Sequence, residues 1–461
     1  MQRLFAIAWL TWKAAFRFRL FLVIAVLLLA TVVGLPVLIK DDGSARGFTQ
    51  ILLTYTLSVI TVLLGLSTLW LACGTLARDI EECQIQVVAT KPIARWQIWL
   101  GKWLGIMSLN AALLALSGAS VYGLLQWRAA KLPPAEQIVL REQVLVARGS
   151  VKEPIDNAGI EAETERILQG RLKSNPVEKA DVPEVRRQIR ELVRSDFQLV
   201  PPGYSRQWQI NLGFAKNFLK DKPLQLRVKF NSAQRNASGT FVALWQVGVP
   251  DTARLWRSEP MSLAPDTFHE FQIPPNLFDD KGVLTILFVN PNSTSLLFPL
   301  GDGMEVLYPE GGFALNFIRG LGIIFCWMAV LAALGLMAAS FLTFPVAAFF
   351  SLAMVLLVLS SGTLAEAVES GTVTAGNSET GVMGHSPLDM VLIPLFKGLL
   401  TAVSLVKNFS PVEALSSGRS ISWTTLGLAF SQIVLLLGGL IGVTGIILFN
   451  RRELATAQGN Q

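Results

Sequence analysis

The sequence predicts a polytopic α-helical membrane protein in which two membrane portions flank one aqueous α+β domain. Of its 461 residues, 52% are hydrophobic and 16% are charged, whereas about 25% of the residues in an ordinary soluble domain are charged. Long apolar runs occupy both ends of the chain, and the middle has the charge density of a water-soluble domain. The two ends of the chain are therefore expected to lie in a lipid bilayer, and the middle is expected to lie in water.

Six apolar segments are long enough to cross a membrane, because a helix that crosses the hydrocarbon core needs about 20 mostly apolar residues. They cover residues 20–39, 51–76, 100–125, 313–338, 344–365 and 423–449. A further apolar stretch, residues 386–408, is interrupted by Pro394 and Lys397. We predict that this stretch forms a pair of re-entrant helices on the extracytoplasmic side rather than a seventh span.

Residues 1–19 mix aromatic and basic side chains, notably Trp9, Trp12, Lys13 and Phe16. This mixture is typical of an amphipathic helix that lies in the membrane interface. An extended foot of the first span is the alternative interpretation.

The distribution of lysine and arginine orients the spans, since short cytoplasmic loops carry an excess of both. Basic residues cluster before the first span, between the second and third, and after the sixth: Lys13, Arg17, Arg19, Arg78, Lys91, Arg95, Lys102, Arg451 and Arg452. Both termini are thus expected in the cytoplasm, and residues 128–312 outside it. The formal net charge of +6 is explained by this topology, so no nucleic-acid partner is expected.

The extracytoplasmic insert has two parts. Residues 128–200 are charge-rich and predict helices, such as 161–173 and 183–194. Residues 201–312 contain runs of alternating apolar and polar side chains, separated by turn residues, and this pattern predicts a jelly-roll-like β-sandwich. The clearest runs cover residues 224–230, 240–247 and 283–289.

Three tryptophans of the predicted sandwich, Trp208, Trp245 and Trp256, are candidates for an aromatic face that contacts a sugar or another extracytoplasmic ligand. A position in the core or at the rim is the alternative, because large aromatic side chains are mostly buried. Docking of the insert to an extracytoplasmic protein, or to its own twin, is a further expectation.

Residues that carry out chemistry are scarce. The three cysteines and two histidines lack the spacing of metal ligands, so neither a metal site nor a catalytic residue is predicted. They are Cys73, Cys83, Cys326, His269 and His385. A membrane-embedded enzyme is an alternative, and its closest approach to a catalytic pair is Asp389 near His385. Charges are almost absent from the six spans, which argues against a proton-coupled carrier.

The most informative segment lies between the second and third spans and reads ARDIEECQIQVVATKPIARWQIWLGKWLG over residues 77–105. Acidic residues begin it, a helical run follows, a proline ends that run, and basic residues with a glycine lead into the next span. A loop that only connected two spans could be far shorter. The residues that form this pattern are Asp79, Glu81, Glu82, Pro92, Arg95, Gly101 and Lys102.

This order of residues resembles the coupling region of ABC transporter permeases of the ABC-2 type. The resemblance extends to the six spans, the interfacial N-terminal helix and the re-entrant helices before the last span. In that family the region docks into a groove on a cytoplasmic ATPase subunit. The resemblance therefore implies a coupling helix at about residues 77–100, with the seven residues at the ATPase-coupling interface. An ordinary charged juxtamembrane helix is the alternative.

The resemblance also implies partners. The sequence has no GxxxxGK[ST] phosphate loop, so a separate ATPase subunit would bind ATP and Mg²⁺, and this chain would bind no cofactor and be no enzyme. A second permease half, either an identical chain or a related permease, would complete the pathway through the membrane lipids. We expect a bacterial inner-membrane protein with its insert in the periplasm, working in export or force transmission. The rival is a membrane-anchored protein whose insert binds glycan or an envelope protein.

Overall fold

The chain forms two compact units. The computed structural model describes residues 2–17, 20–38, 45–84, 93–174, 182–213, 216–232, 234, 238–250, 252, 254–370 and 388–452. A helical unit comprises Met1–Ala147 and Gly311–Gln461, and a β-rich unit comprises Arg148–Glu310. This division agrees with the predicted helical membrane protein that carries an insert containing β-strands.

The helices were numbered along the chain. They are α1 (Gln2–Arg17), α2 (Leu20–Leu38), α3 (Ala45–Glu81), α4 (Arg95–Ala129), α5 (Pro134–Val139), α6 (Asn157–Ser174), α7 (Val182–Asp196), α8 (Lys216–Leu219), α9 (Phe313–Ala339), α10 (Phe344–Leu359), α11 (Ser361–Ser370), α12 (Asp389–Lys407), α13 (Pro411–Ser416), α14 (Trp423–Ala429) and α15 (Gly439–Arg451). A π-helical segment, Phe430–Gly438, joins α14 to α15, and another, Leu140–Val144, follows α5.

Among the described residues, five helical segments are long and apolar enough to cross a membrane: Gly47–Glu81, Arg95–Ala129, Phe313–Ala339, Asp389–Ser416 and Trp423–Arg451. Two shorter apolar helices, Val23–Gly34 and Phe344–Leu359, lie within the first and fifth predicted spans. The fifth predicted span is interrupted, because α10 ends at Leu359 and α11 begins at Ser361.

The stretch that we predicted to be a re-entrant pair contains one helix instead. Helix α12 runs without a break from Asp389 to Lys407 and includes Pro394. Proline in a helix removes one backbone hydrogen bond and strains the preceding turn. Because Pro394 lies in the second turn of α12, few residues precede the strained point, and the helix continues through it.

Helix α1 packs closely against α4. A Cβ atom at Gly101 would lie 2.7 Å from Cβ of Ile7, and a Cβ atom at Gly105 would lie 2.7 Å from Cβ of Thr11. Small residues are typical of helix crossings in membrane proteins, because van der Waals contact between close backbones holds such helices together. The two glycines therefore fix α1 on the surface of α4 as part of the helical unit.

The described residues of the β-rich unit form three sheets. Its strands are β1 (Val146–Val151), β2 (Leu199–Val200), β3 (Ser205–Asn211), β4 (Leu224–Val228), β5 (Asn231–Ser232), β6 (Phe241–Gly248), β7 (Leu255–Arg257), β8 (Met261–Leu263), β9 (His269–Ile273), β10 (Val283–Val289), β11 (Leu296–Leu297) and β12 (Met304–Gly312). The strand orders are β1-β12-β4-β9, β3-β10-β6-β7 with β8 paired to β6, and β2-β11-β5. The three predicted alternating runs correspond to β4, β6 and β10.

Side chains from the two larger sheets share one hydrophobic core. Leu226 of β4 and Val306 of β12 come from one sheet, and Trp245 of β6 and Phe288 of β10 come from the other. Exposure alternates along the first part of β6, as expected of a strand with one buried face. The aromatic ring of Phe298 closes the core at 4.9 Å from the ring of Phe288, measured between centroids.

The region predicted to be helical, residues 128–200, contains strands as well. Val146–Val151 forms β1, which pairs with β12 at the edge of a sheet. Helices α6 and α7 pack together through a small apolar cluster of their own, formed by Ile160, Leu168, Ile189 and Val193.

The core of the β-rich unit predicts a large effect of one substitution. Trp245 is 1% exposed, so Trp245→Ala is expected to lower the free energy of unfolding of this unit by about 3–5 kcal/mol. Urea unfolding of the full chain measures this loss, with the protease susceptibility of the β-rich unit as the readout. Tyr204, which is 67% exposed, provides the control. Equal losses in Trp245→Ala and Tyr204→Ala would contradict the assigned core.

Candidate functional site

Charged side chains connect helix ends within the helical unit. We define the helix-end cluster as Asp79, Glu81, Arg95, Lys102 and Arg452. The first four belong to the predicted coupling interface, and Arg452 follows the last helix.

The pair Asp79 and Lys102 joins α3 to α4. Lys102 Nζ lies 2.6 Å from Asp79 Oδ2 and donates a second hydrogen bond, 2.7 Å long, to the carbonyl oxygen of Thr75. Lys102 is 7% exposed, whereas the side chain of Asp79 is 36% exposed. A buried ammonium is stable when it is paired and hydrogen-bonded. The sequence placed these residues 23 positions apart, and the antiparallel course of α3 and α4 brings them together.

Glu81, the last residue of α3, contacts the beginning of α10. Its Oε1 atom accepts a 2.8 Å hydrogen bond from the backbone N–H of Phe344. The first N–H groups of a helix have no partner inside the helix, and a carboxylate there also meets the positive end of the helix dipole. The guanidinium of Arg78 lies over the Phe344 ring, 4.6 Å from its centroid.

Arg95, the first residue of α4, binds the end of α15. Its Nη1 atom donates 2.8 Å hydrogen bonds to the carbonyl oxygens of Phe449, Asn450 and Arg452. The last carbonyl groups of a helix lack partners inside the helix, and a cation there is favoured by the helix dipole. One guanidinium group therefore completes the last turn of α15 and holds it against α4.

Arg452 extends the same arrangement to α9. Its Nη1 atom lies 3.2 Å from the carbonyl oxygen of Ala339, the last residue of α9, and 3.4 Å from that of Leu342, which follows the helix. Burial lowers the pKa of Arg452, and the nearby Glu81 carboxylate acts in the opposite direction. The cluster thus joins the ends of five helices: α3, α4, α9, α10 and α15.

Trp99 reinforces the contact between α4 and α15. It is 3% exposed, and a Cβ atom at Gly442 would lie 3.1 Å from its ring. A Cβ atom at Gly445 would lie 3.1 Å from its Nε1 atom. The indole therefore fills a notch made by two glycines, one turn along α4 from Arg95.

The remaining predicted interface residues have different surroundings. Glu82 is exposed and accepts a 2.6 Å hydrogen bond from Gln84 Nε2. Gly101 packs against α1, and Pro92 lies outside the described residues. The predicted interface therefore separates into Glu82, which is exposed and bonded to Gln84, and a cluster whose charges bind helix ends and in which Glu81 is also exposed.

The tryptophan face predicted in the insert is wrong for two of its three residues. Trp208 and Trp245 are 3% and 1% exposed, and their ring centroids lie 6.2 Å apart inside the shared core. Trp256 is half-buried and stacks on Phe271 at 6.3 Å. The inward faces of two sheets meet at the rings of Trp208 and Trp245, so these two indoles stabilise the core and present no ligand face.

A buried layer of charges in the β-rich unit escaped sequence reasoning. Arg148 Nη1 lies 2.8 Å from Glu270 Oε2, and Arg227 lies 3.7 Å from Glu270 and 3.9 Å from Glu305. The side chain of Glu305 is 1% exposed. Two cations and two anions on four neighbouring strands compensate one another, so we assign the layer a structural role. In the sequence, a charged residue in an alternating strand looks like a solvent-facing position. The four charged residues therefore did not predict a buried layer.

An apolar groove of about 520 Å³ lies between α4 and α9. The described residues that line it are uncharged: Ala111, Leu114, Ala115, Gly118, Ala119, Tyr122, Ala314, Phe317, Ile318, Leu321, Gly322 and Phe325. Elsewhere, no group of three or more His, Cys, Asp and Glu side chains within the described ranges could hold a metal ion. Asp389 is buried, and His385, its predicted neighbour, lies outside those ranges.

No family model, curated protein or solved structure matches the chain. The helix-end cluster is therefore the feature on which a functional proposal depends.

The Asp79–Lys102 pair predicts an asymmetric response to substitution. Asp79→Ala leaves a buried ammonium without its counter-charge and should cost about 1–3 kcal/mol of stability. Lys102→Met should cost less, because water reaches the Asp79 carboxylate and the methionine keeps the apolar packing. Urea unfolding of the purified chain in detergent measures both costs, with the exposed Glu82→Ala as control.

The double variant Asp79→Ala with Lys102→Met decides whether the pair acts as a unit. Its cost should be smaller than that of Asp79→Ala alone, since the second substitution removes the stranded charge. A double-variant cost equal to the sum of the single costs would contradict a coupled pair.

Proposed function

We propose that this chain is the membrane-spanning permease subunit of an ATP-driven transporter of the ABC-2 type. A separate cytoplasmic subunit would bind ATP and Mg²⁺ and hydrolyse the nucleotide. The chain would receive the resulting movement at its cytoplasmic face and use it for export, or for force transmission across a bacterial inner membrane.

The helix-end cluster is the observation that carries this proposal. It joins the ends of five helices directly beside the segment that connects α3 to α4, the segment expected to dock on the ATPase. A chain that merely anchored a soluble domain would need partners for its helix ends, but not one connected set that links five of them. A displacement of the segment would reach α4 through Asp79 and Lys102, α10 through Glu81, and α15 through Arg95.

The proposal assigns different tasks to the predicted interface residues. Glu82 is exposed and would contact the ATPase together with residues 85–92, which include Pro92. Asp79, Glu81, Arg95 and Lys102 would transmit the movement because they already bind other helices. Gly101 would keep α1 in register with α4.

The contacts of the cluster also support six spans. They bring the beginning of α10 and the end of α15 to the same end of the helical unit, through Glu81 and Arg95. The chain between them must then cross the membrane an even number of times. If α10 with α11 crosses once and Trp423–Arg451 crosses once, α12 does not cross. Both termini would accordingly be cytoplasmic, and the insert periplasmic.

The remaining partners follow from this arrangement. The insert would be a β-sandwich, since two sheets share one core, and it would dock an extracytoplasmic protein. A second permease half, identical or related, would complete the pathway. The uncharged groove between α4 and α9 favours an apolar or amphiphilic cargo over an ion.

Affinity purification of the tagged chain in mild detergent tests the proposal. An ATPase subunit should co-elute with the chain, and the eluate should hydrolyse ATP. Glu82→Lys should reduce both by about tenfold or more, because it places like charges at the docking contact. Glu413→Lys is the matched control, since Glu413 is a 71% exposed acid expected on the periplasmic side.

The possible results separate the rival functions. Loss of the ATPase in Glu82→Lys but not in Glu413→Lys supports a permease. Absence of any nucleotide-hydrolysing partner, under conditions in which an extracytoplasmic protein still co-elutes, would overturn the permease in favour of a membrane-anchored binding protein.

A further inference from the structure

Helix α1 has one face that the helical unit buries. Ile7, Thr11 and Ala15 are each no more than 6% exposed. Trp12 Nε1 donates a 2.6 Å hydrogen bond to Ser108 Oγ in α4. These contacts fix the rotation of α1 about its own axis, so the identity of its outward face is determined.

The outward face begins with an aromatic edge. Phe5, Trp9 and Phe16 are 70%, 60% and 43% exposed. At 3.6 residues per turn, the three side chains lie within roughly 40° of one another around the helix. Exposed aromatic side chains in one row are unfavourable in water, but they are stable at the boundary between acyl chains and headgroups.

A cationic edge follows the aromatic one around the helix. Lys13 and Arg3 are exposed on this side, with the apolar side chain of Leu10 between them. Helix α1 contains no acidic residue of its own. Its outward face therefore combines exposed aromatic side chains with positive charge.

The position of α1 along α4 matches the level of lipid headgroups. It contacts α4 at Gly101 and Gly105, in the second and third turns of a helix long and apolar enough to cross a membrane. The contact thus lies near one end of a candidate span, where phosphate groups are found.

We propose that the outward face of α1 is a recognition surface for acidic phospholipids, with the aromatic edge among the acyl chains and Lys13 against the anionic headgroups. Charge complementarity favours lipid over a second copy of the chain, because a second α1 would bring the same cations together. The inference requires a membrane protein but does not require the transporter function. Bound lipid would also lie beside the helix-end cluster, since Gly101 precedes Lys102.

Quenching of Trp9 fluorescence tests this surface in the full chain. The protein is reconstituted into zwitterionic vesicles that contain increasing fractions of an acidic phospholipid brominated on its acyl chains. Subtraction of the Trp9→Phe spectrum isolates the Trp9 emission. Lys13→Gln should raise the acidic-lipid fraction needed for half-maximal quenching by roughly fivefold, the effect of one cation at an anionic surface.

The matched control is Arg451→Gln, which removes an exposed cation from the end of α15. It should leave the quenching of Trp9 unchanged. Brominated zwitterionic lipid should quench Trp9 equally in the wild-type chain and in both variants. The proposal is overturned if Lys13→Gln needs the same acidic-lipid fraction for half-maximal quenching as the wild-type chain, or if Arg451→Gln raises that fraction as much as Lys13→Gln does. It is also overturned if neither brominated lipid quenches Trp9.

Discussion

Backbone N–H and C=O groups at helix ends lack partners within the helix and must find them elsewhere. The charged end of the helical unit satisfies this requirement with side chains from other helices. Arg95 binds three carbonyl groups at the end of α15, Arg452 binds the last carbonyl group of α9 and one beyond it, and Glu81 accepts from the first N–H of α10. Each helix end therefore depends on a neighbouring helix for its hydrogen bonds.

This mutual dependence makes the cluster suitable for passing on movement. A partner that contacts Glu82 or the segment before α4 would act on a connected set of helices instead of one. The glycine notches extend the set, since Gly442 and Gly445 receive Trp99 while Gly101 and Gly105 receive α1. The outward face of α1, if it binds lipid as proposed, would place that lipid in contact with the same connected body.

Periodicity and charge were visible in the sequence, but distant contacts were not. The strands β4, β6 and β10 were predictable because alternation is a local property. Alternation does not reveal what covers a face, so it leaves Trp208 and Trp245 as candidates for either a ligand face or the core, and a second sheet covers both. Four residues of the cluster were found by their order, yet their partners were hidden: Arg95 binds Phe449, 354 residues later. The sequence predicts a helix break at Pro394, because proline disfavours a continuous helix. That rule holds more strictly in the middle of a helix than near its beginning, where Pro394 lies.

The central claim is that the helix-end cluster faces the cytoplasm, where an ATPase subunit could reach it. The native chain reports this directly, because Cys83 is exposed beside the cluster while Cys73 and Cys326 are buried. A membrane-impermeant maleimide should label Cys83 in inside-out vesicles and leave it unlabelled in right-side-out vesicles. A cysteine introduced by Tyr204→Cys should show the reverse pattern. Labelling of Cys83 from the outside alone would contradict the account, since the cluster would then face away from any cytoplasmic partner.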